Sequence, residues 1–174
     1  MPLPDPSEPS INQELSASAE EILALTLHPK IRALVEYWQT IHPDTGLPGR
    51  YHFEPLDVPA LLPNIWLVDV ERKPKLRLRY RLVGTSVARA FERDSTGRYL
   101  DEVHSEFLDS HIWLYMKGVV QDGTPGWRSG TPRFWHLREF LSLERIYLPL
   151  ASDGREVDMI LALTVFVDRF GNEF

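Results

Sequence analysis

The chain has 174 residues, of which 43% are apolar and 25% are charged, and it contains no cysteine. This length predicts one domain, and the composition excludes a wholly disordered, collagen-like or coiled-coil chain. The lack of cysteine excludes disulfides, thiol catalysis, thiolate metal sites and iron–sulfur clusters. No apolar run is long enough for a membrane span, and we expect no signal peptide because the first ten residues lack a basic start and an apolar stretch.

Charge and proline content set the amino-terminal residues apart. The net charge is −6, and residues 1–29 carry five acidic and no basic side chains, so the remainder is close to neutral. Residues 1–12 also contain four prolines and few apolar side chains. Such a segment has too little apolar surface to offset the entropy of ordering it, so we predict a disordered acidic leader over residues 1–17.

A helical extension is predicted to follow the leader. Ser18 and Glu21 have the spacing of a capping box, and Pro29 suits the first turn of a second helix. Four apolar side chains then recur at the spacing of one buried helix face. They are Ile31, Leu34, Val35 and Trp38. We assign residues 18–49 to this extension and residues 50–174 to the main domain.

The pattern then becomes that of a sheet with helices. Ile65–Val70 and Leu76–Val83 alternate apolar and polar side chains, which predicts two paired strands with one buried face. The further predicted elements are a short helix at 86–91, a longer helix at 106–120, and strands near residue 127, at 140–150 and at 157–167. This order indicates the α+β class, with one antiparallel sheet covered by helices on one face.

Six short motifs occur in an order that is typical of one known family. They are Tyr37-Trp38, Leu47-Pro48-x-Arg50, Leu62-Pro63-Asn64-Ile65, Arg79-Tyr80-Arg81-Leu82-Val83-Gly84-Thr85, Arg93-Asp94-x-Thr96-Gly97-Arg98 and Leu148-Pro149-Leu150-x-x-Asp153-Gly154. Over about residues 30–168 the chain therefore resembles a divergent bacterial PAS-domain family, the fifth of the PAS families, which is found mainly in alphaproteobacteria and is largely uncharacterised. Glu92 departs from the family, which often has Gly before the Arg-Asp pair, and this puts the turn after the short helix in doubt.

The resemblance implies a fold and a general role. The fold is a PAS-like five-stranded antiparallel sheet, in the order 2-1-5-4-3, with helices over one face. PAS modules sense ligands or cofactors or mediate protein association. We therefore expect a non-enzymatic signalling or regulatory module that binds a small apolar organic ligand, a partner protein, or both, and that passes its signal by association. Because an amino-terminal helix of PAS proteins often packs against its copy in a second chain, we expect a dimer whose interface includes the four apolar residues of the helical extension.

Eight side chains are predicted to line a cavity between the sheet and its helices. The assigned strands and helices bring them to one shared face, where they form a mostly apolar wall. They are Trp66, Val68, Leu78, Tyr80, Phe91, Met116, Tyr147 and Met159. The alternative is that these residues fill the core.

Two other classes of function stay open. One is a small enzyme that uses the cavity as its active site, although the sequence holds no P-loop, G-x-S-x-G, H-E-x-x-H or Rossmann glycine motif, and we assign no catalytic residue. The other is a nucleic-acid binder that uses Arg77, Arg79 and Arg81 to contact phosphates. We favour instead a solvated strand face on which these arginines pair with Asp69 and Glu71.

Neither a cofactor nor a metal is expected. No two of the six histidines have the i, i+4 spacing of a helical metal site, and no helical histidine can be assigned to haem. Covalent flavin photochemistry in PAS modules needs a cysteine. We therefore expect no metal, haem or flavin, histidines at surface or capping positions, no membrane or nucleic-acid partner, and a cytoplasmic location.

The leader generates the first testable prediction. Deletion of residues 1–12 should change the free energy of unfolding by less than about 0.5 kcal/mol, because the segment has few apolar groups to add to a core. Chemical denaturation of the deleted and full-length chains measures the difference. A loss of several degrees in melting temperature would contradict it.

Overall fold

The computed structural model describes residues 12–132 and 140–174, and a six-stranded antiparallel sheet lies at its centre. The strands are β1 (Gln13–Ser16), β2 (Ile65–Glu71), β3 (Arg77–Val83), β4 (Gly126–Gly130), β5 (Phe140–Leu150) and β6 (Met159–Asp168). Their order is β1-β4-β5-β6-β2-β3. The last five of these are the predicted PAS strands in the predicted order, so the α+β class and the PAS-like topology are confirmed. The sheet nevertheless has six strands rather than five, because β1 adds a strand beside β4.

The sixth strand lies within the segment that was predicted to be a disordered leader. Glu14 stands opposite Arg128 in the ladder between β1 and β4. Its carboxylate oxygen Oε1 forms an ion pair with Arg128 Nε at 3.2 Å. Asn12 Oδ1 accepts a hydrogen bond from the Thr131 N–H at 3.0 Å. The prediction of disorder over residues 1–17 is therefore wrong for residues 13–17, and residues 1–11 lie outside the described residues. A deletion that tests the leader should stop at residue 11.

Five helices accompany the sheet. They are α1 (Ala19–Leu23), α2 (Pro29–Thr40), α3 (Thr85–Ala90), α4 (Leu100–Val103) and α5 (His111–Asp122), with short 3₁₀ helices at Arg50–His52, Pro55–Asp57, Pro59–Asn64 and Phe107–Asp109. The predicted capping box is present, since Ser18 Oγ accepts from the Glu21 N–H and the Glu21 carboxylate accepts from the Ser18 N–H. Within the described residues, no helix has the length and apolar character needed to cross a membrane.

The helices cover both faces of the sheet. Helices α3, α4 and α5 pack on one face, which we call the cap face, and α1, α2 and the 3₁₀ helix Pro59–Asn64 pack on the other, which we call the rear face. The prediction of helices over one face is therefore incomplete. Because β5 and β6 are apolar on both sides, each face needs its own cover.

The rear face accounts for the apolar stripe of α2. Its four side chains are between 0% and 4% exposed, and they pack on β5 and β6 of their own chain. The stripe is Ile31, Leu34, Val35 and Trp38. The prediction that it forms a dimer interface is wrong, because the apolar rear face of the same chain already covers it. Self-association through another surface stays a prediction.

Polar contacts fix α2 on this face. The Glu144 carboxylate accepts from the His28 N–H at the start of the helix, at 3.0 and 3.1 Å. Lys30 Nζ donates to Asn64 Oδ1 at 2.9 Å, and Asn64 Nδ2 donates to the main-chain oxygen of Thr164 at 3.0 Å. Asn64 is fully buried, so these two bonds satisfy an amide that would otherwise destabilise the core. They also join α2 to β6.

A β-bulge changes the expected side-chain alternation of β3. Leu67 pairs with Leu82, but the next residue of β2, Val68, pairs with Tyr80, so Arg81 is an extra residue. The bulge places Leu82 beside Leu67 toward the rear face, where Leu82 is 45% exposed. The alternation predicted over Leu76–Val83 would put Leu82 on the same face as Tyr80. This is wrong, because the inserted residue moves the side chains beyond it to the opposite faces of the strand.

Glu92 adopts a backbone conformation that usually belongs to glycine. Its φ is +55°, and it follows α3 at the position where helices often end in a left-handed residue. The Glu92 N–H donates to the Arg89 oxygen, and the Arg93 N–H donates to the Ala88 oxygen. This pair of bonds defines a Schellman motif, which favours glycine because a Cβ strains the left-handed region. Having Glu92 in place of the glycine that is frequent at this position therefore preserves the turn but strains the backbone of that residue.

Replacing this residue tests the strain. Glu92→Gly should raise the free energy of unfolding by about 1 kcal/mol, because glycine adopts the left-handed conformation without the Cβ clash. Glu92→Ala is the matched control and should bring no gain, since alanine keeps the Cβ. Urea denaturation of the three proteins measures the effect. Equal stability of the Gly and Ala variants would show that the turn is unstrained.

Candidate functional site

Seven of the eight predicted cavity residues do lie together on the cap face. They are Trp66, Val68, Leu78, Tyr80, Phe91, Met116 and Tyr147. Trp66 stands at their centre, with its ring centroid 5.7 Å from that of Tyr80 and 5.9 Å from that of Tyr147. These aromatic side chains pack against one another, so they form the dense interior between sheet and helices. Their role as the wall of a ligand site stays a prediction.

Met159 is the member of that set that the structure places elsewhere. It packs on the rear face with Leu161 and Leu163, whereas Ile160 and Ala162 face the cap. The prediction for Met159 is therefore wrong. Both faces of β6 are buried, so its odd- and even-numbered residues are equally apolar. The hydropathy pattern therefore does not show which of the two sets faces the cap and which faces the rear.

Two polar side chains meet inside the cap face. Tyr80 and His104 are each 4% exposed, and the Tyr80 hydroxyl lies 2.9 Å from His104 Nε2. β3 positions Tyr80, and His104 follows the last residue of α4. Burial raises the pKa of the Tyr80 hydroxyl far above its ordinary value, and the Arg145 and Arg93 charges oppose this only in part. Tyr80 is thus held in its neutral form.

A guanidinium lies in the same interior. Arg145 on β5 is 4% exposed, and its Nε donates to Thr164 Oγ1 on β6 at 2.8 Å. Its Nη1 donates to the Tyr147 hydroxyl at 3.2 Å. Trp66 Nε1 donates to the same Thr164 hydroxyl at 3.0 Å, and the guanidinium carbon lies 5.4 Å from the Trp66 ring centroid. Arg145, Thr164 and Trp66 therefore form one connected polar group within apolar surroundings.

A second buried arginine stands next to the first. Arg128 on β4 is directly opposite Arg145 in the ladder, and it is paired with Glu14. Glu14 also lies 3.1 Å from His111 Nδ1. Nearby, burial and the Glu14 charge raise the pKa of Tyr115 to about 12. The cap face therefore combines aromatic rings with two guanidinium groups.

The sequence prediction missed the polar members of this site. His104 was expected at a surface or capping position, and that expectation is wrong because its side chain is buried. Arg145 and Thr164 were not singled out at all. One signal was available for Arg145, since it is a charged residue inside the long apolar strand from residue 140 to residue 150. A charged residue within a strand buried on both faces must itself be buried.

The outward arginines of β3 are largely neutralised. Arg79 pairs with Asp69 at 3.2 Å and with Glu71 at 3.1 Å, as the solvated-face prediction required. Arg77 pairs with Asp101 and Glu102 instead, and its guanidinium carbon lies 3.6 Å from the Tyr99 ring centroid. Two of the three arginines that a nucleic-acid site would use are thus engaged by carboxylates.

Metal-ligating side chains do not gather in the described part of the chain. Among residues 12–132 and 140–174, no group of three or more His, Asp or Glu side chains is arranged to hold a metal ion. The expectation that the chain uses neither haem nor flavin stays a prediction.

Comparisons with known proteins identify the family. A family model described as PAS domain matches residues 26–165. Because this match covers most of the chain, the chain belongs to the PAS domain family, a class of sensory signalling modules that are in general non-enzymatic. The match begins at residue 26, so α2 of the predicted extension lies inside the matched region.

One solved structure supports the fold. The chain is similar to an RNA-binding light-oxygen-voltage receptor, with a TM-score of 0.50 and 14% identity, over 96% of this chain and 40% of that receptor. At this identity the likeness shows the fold alone, and the chain spans less than half of the receptor. No curated protein matches the chain.

The buried tyrosine generates a prediction about pH. A tyrosine whose pKa is higher in the folded state stabilises the protein fully below its unfolded pKa of about 10, and this stabilisation is lost as the pH rises. Above pH 10 the free energy of unfolding should therefore fall by up to about 1.4 kcal/mol per pH unit because of Tyr80. In Tyr80→Phe the fall in melting temperature between about pH 8 and about pH 11 should be smaller. Tyr51→Phe is the exposed control and should keep the wild-type fall; an equal fall in the Tyr80 variant would contradict the prediction.

Proposed function

We propose that the chain is a sensory PAS module that binds a small organic molecule between the cap face of the sheet and helices α3, α4 and α5. The observation that carries the proposal is the set of buried polar side chains in this otherwise apolar interior. A core built only for stability is filled by apolar groups, because a buried polar group has to recover the hydrogen bonds that it gives up with water. The set consists of Tyr80, His104, Arg145 and Thr164.

The construction of the cap supports entry of a guest. Helices α3 and α4 have six and four residues, and the 3₁₀ helix Phe107–Asp109 has three. Elements this short form few contacts each and separate at a lower free energy than long helices. The aromatic interior is densely packed, so a guest enters when these elements move away from β3 and β6 and replaces contacts that they make.

The proposed module is not an enzyme, although one observation favours the enzyme as a second candidate. A buried histidine with a polar group in reach is what a cavity enzyme would need, and His104 with Tyr80 fits that description. The direction of the tyrosine pKa argues for the sensor. Catalysis by a tyrosine requires a pKa brought toward neutral pH, whereas burial moves the pKa of Tyr80 away from it.

Native mass spectrometry of freshly purified protein tests the proposal. We expect an adduct of small-molecule mass that denaturation releases. Trp66→Phe should lower the occupancy of this adduct, because Trp66 lies at the centre of the cap-face aromatic group. Trp127→Phe is the matched control, since Trp127 is equally buried but packs on the rear face, and it should leave the occupancy unchanged.

Two results would contradict the proposal. One is an adduct that Trp127→Phe removes and Trp66→Phe retains. The other is the absence of any adduct together with the absence of thermal stabilisation by every member of a small-molecule panel.

A further inference from the structure

We infer that the molecule bound at the cap face carries a carboxylate, and that Arg145 is the residue that recognises it. This inference rests on the proposed function and names the chemical class of its ligand. The sequence alone predicted a small apolar organic ligand and a mostly apolar binding site. The structure changes that expectation, because it places a guanidinium among the side chains that were expected to form an apolar wall.

The first argument is the state of the Arg145 charge. Within residues 12–132 and 140–174, none of the ion pairs includes Arg145. Its hydrogen-bond acceptors are the neutral hydroxyls of Thr164 and Tyr147. A buried guanidinium keeps its charge and loses its hydration, and neutral hydroxyls restore only a small part of that loss. An anion restores more.

The second argument is the neighbouring arginine. Arg128 faces Arg145 directly across the ladder, and like charges in that position destabilise a sheet. Glu14 pairs with Arg128 from the far side, on β1. Two guanidinium groups therefore lie side by side on the cap face, and an anion bound there would be attracted by both.

The third argument is the shape of what surrounds Arg145. A guanidinium has five N–H donors, and the bonds to Thr164 and Tyr147 use two of them. The remaining donors suit a carboxylate, which accepts in pairs from a planar fork. The Trp66 and Tyr147 rings lie within 6 Å of the guanidinium carbon, so the body of the molecule next to the carboxylate meets aromatic surface. The ligand class is an organic acid with an apolar or aromatic body.

Matched pairs of acids and amides test the inference. The probes are benzoate, phenylacetate and octanoate, each compared with its primary amide, and the readout is the melting temperature followed by calorimetric titration of any stabilising compound. At least one carboxylate should raise the melting temperature more than its amide does. Arg145→Met should weaken binding of that carboxylate by about 10- to 100-fold and should leave amide binding unchanged.

Two control measurements complete the test. Arg145→Met without ligand should melt at or above the wild-type temperature, because methionine fills a similar volume and needs no counter-charge. Arg81→Met removes an exposed arginine and should leave carboxylate binding unchanged. Wild-type-like carboxylate binding by Arg145→Met, or an equal loss in Arg81→Met, would overturn the role of Arg145.

The outcomes separate this inference from the proposed function. If small molecules bind to the wild type but no carboxylate binds more tightly than its amide, the carboxylate inference is overturned and the sensory site is retained. Absence of binding by acids, amides and co-purified molecules alike overturns both.

Discussion

The pairing of β5 with β6 is the constraint on which the rest of the structure depends. The two strands pair over ten positions at the middle of the sheet, and both sides of them are apolar. Alternate residues of β6 enter the two cores: Ile160 and Phe166 contact the cap cluster, whereas Leu161 and Val165 contact the rear cluster. Because neither side can face water, α2 must return to one face while α3, α4 and α5 cover the other.

The same alternation determines where polar side chains can act. Glu144 and Arg145 are consecutive, so they point to opposite faces of β5. Glu144 holds the start of α2 on the rear face, and Arg145 joins Thr164 on the cap face. A buried ionic group is rarely the most stable choice for a core, since an apolar residue of similar volume often serves as well. The inference that it recognises a ligand would account for its presence beside the aromatic residues.

How far the sequence predicts this structure depends on whether one face of an element meets water. The hairpin of β2 and β3 was predicted because its arginines are outward, and the motif order predicted the PAS topology. Met159 was assigned to the wrong face because the residues on both faces of β6 are apolar. The bulge at Arg81 reversed Leu82 through a backbone insertion that hydropathy does not record. The stripe of α2 was correctly predicted to be buried, but periodicity does not say which surface covers it. His104 and Arg145 were missed because charged and titratable residues are expected at the surface.

Residue 164 is hydrogen-bonded to both layers of the protein. The Thr164 hydroxyl accepts from Arg145 and Trp66 on one face, and its main-chain oxygen accepts from Asn64, which in turn accepts from Lys30 of α2. The two sets of bonds meet at the backbone of one residue, so a displacement of β6 at this point would alter both. Coupling between two sites is reciprocal: if a molecule bound at the cap face changed the free energy of seating α2, the seating of α2 would change the affinity for that molecule by the same factor.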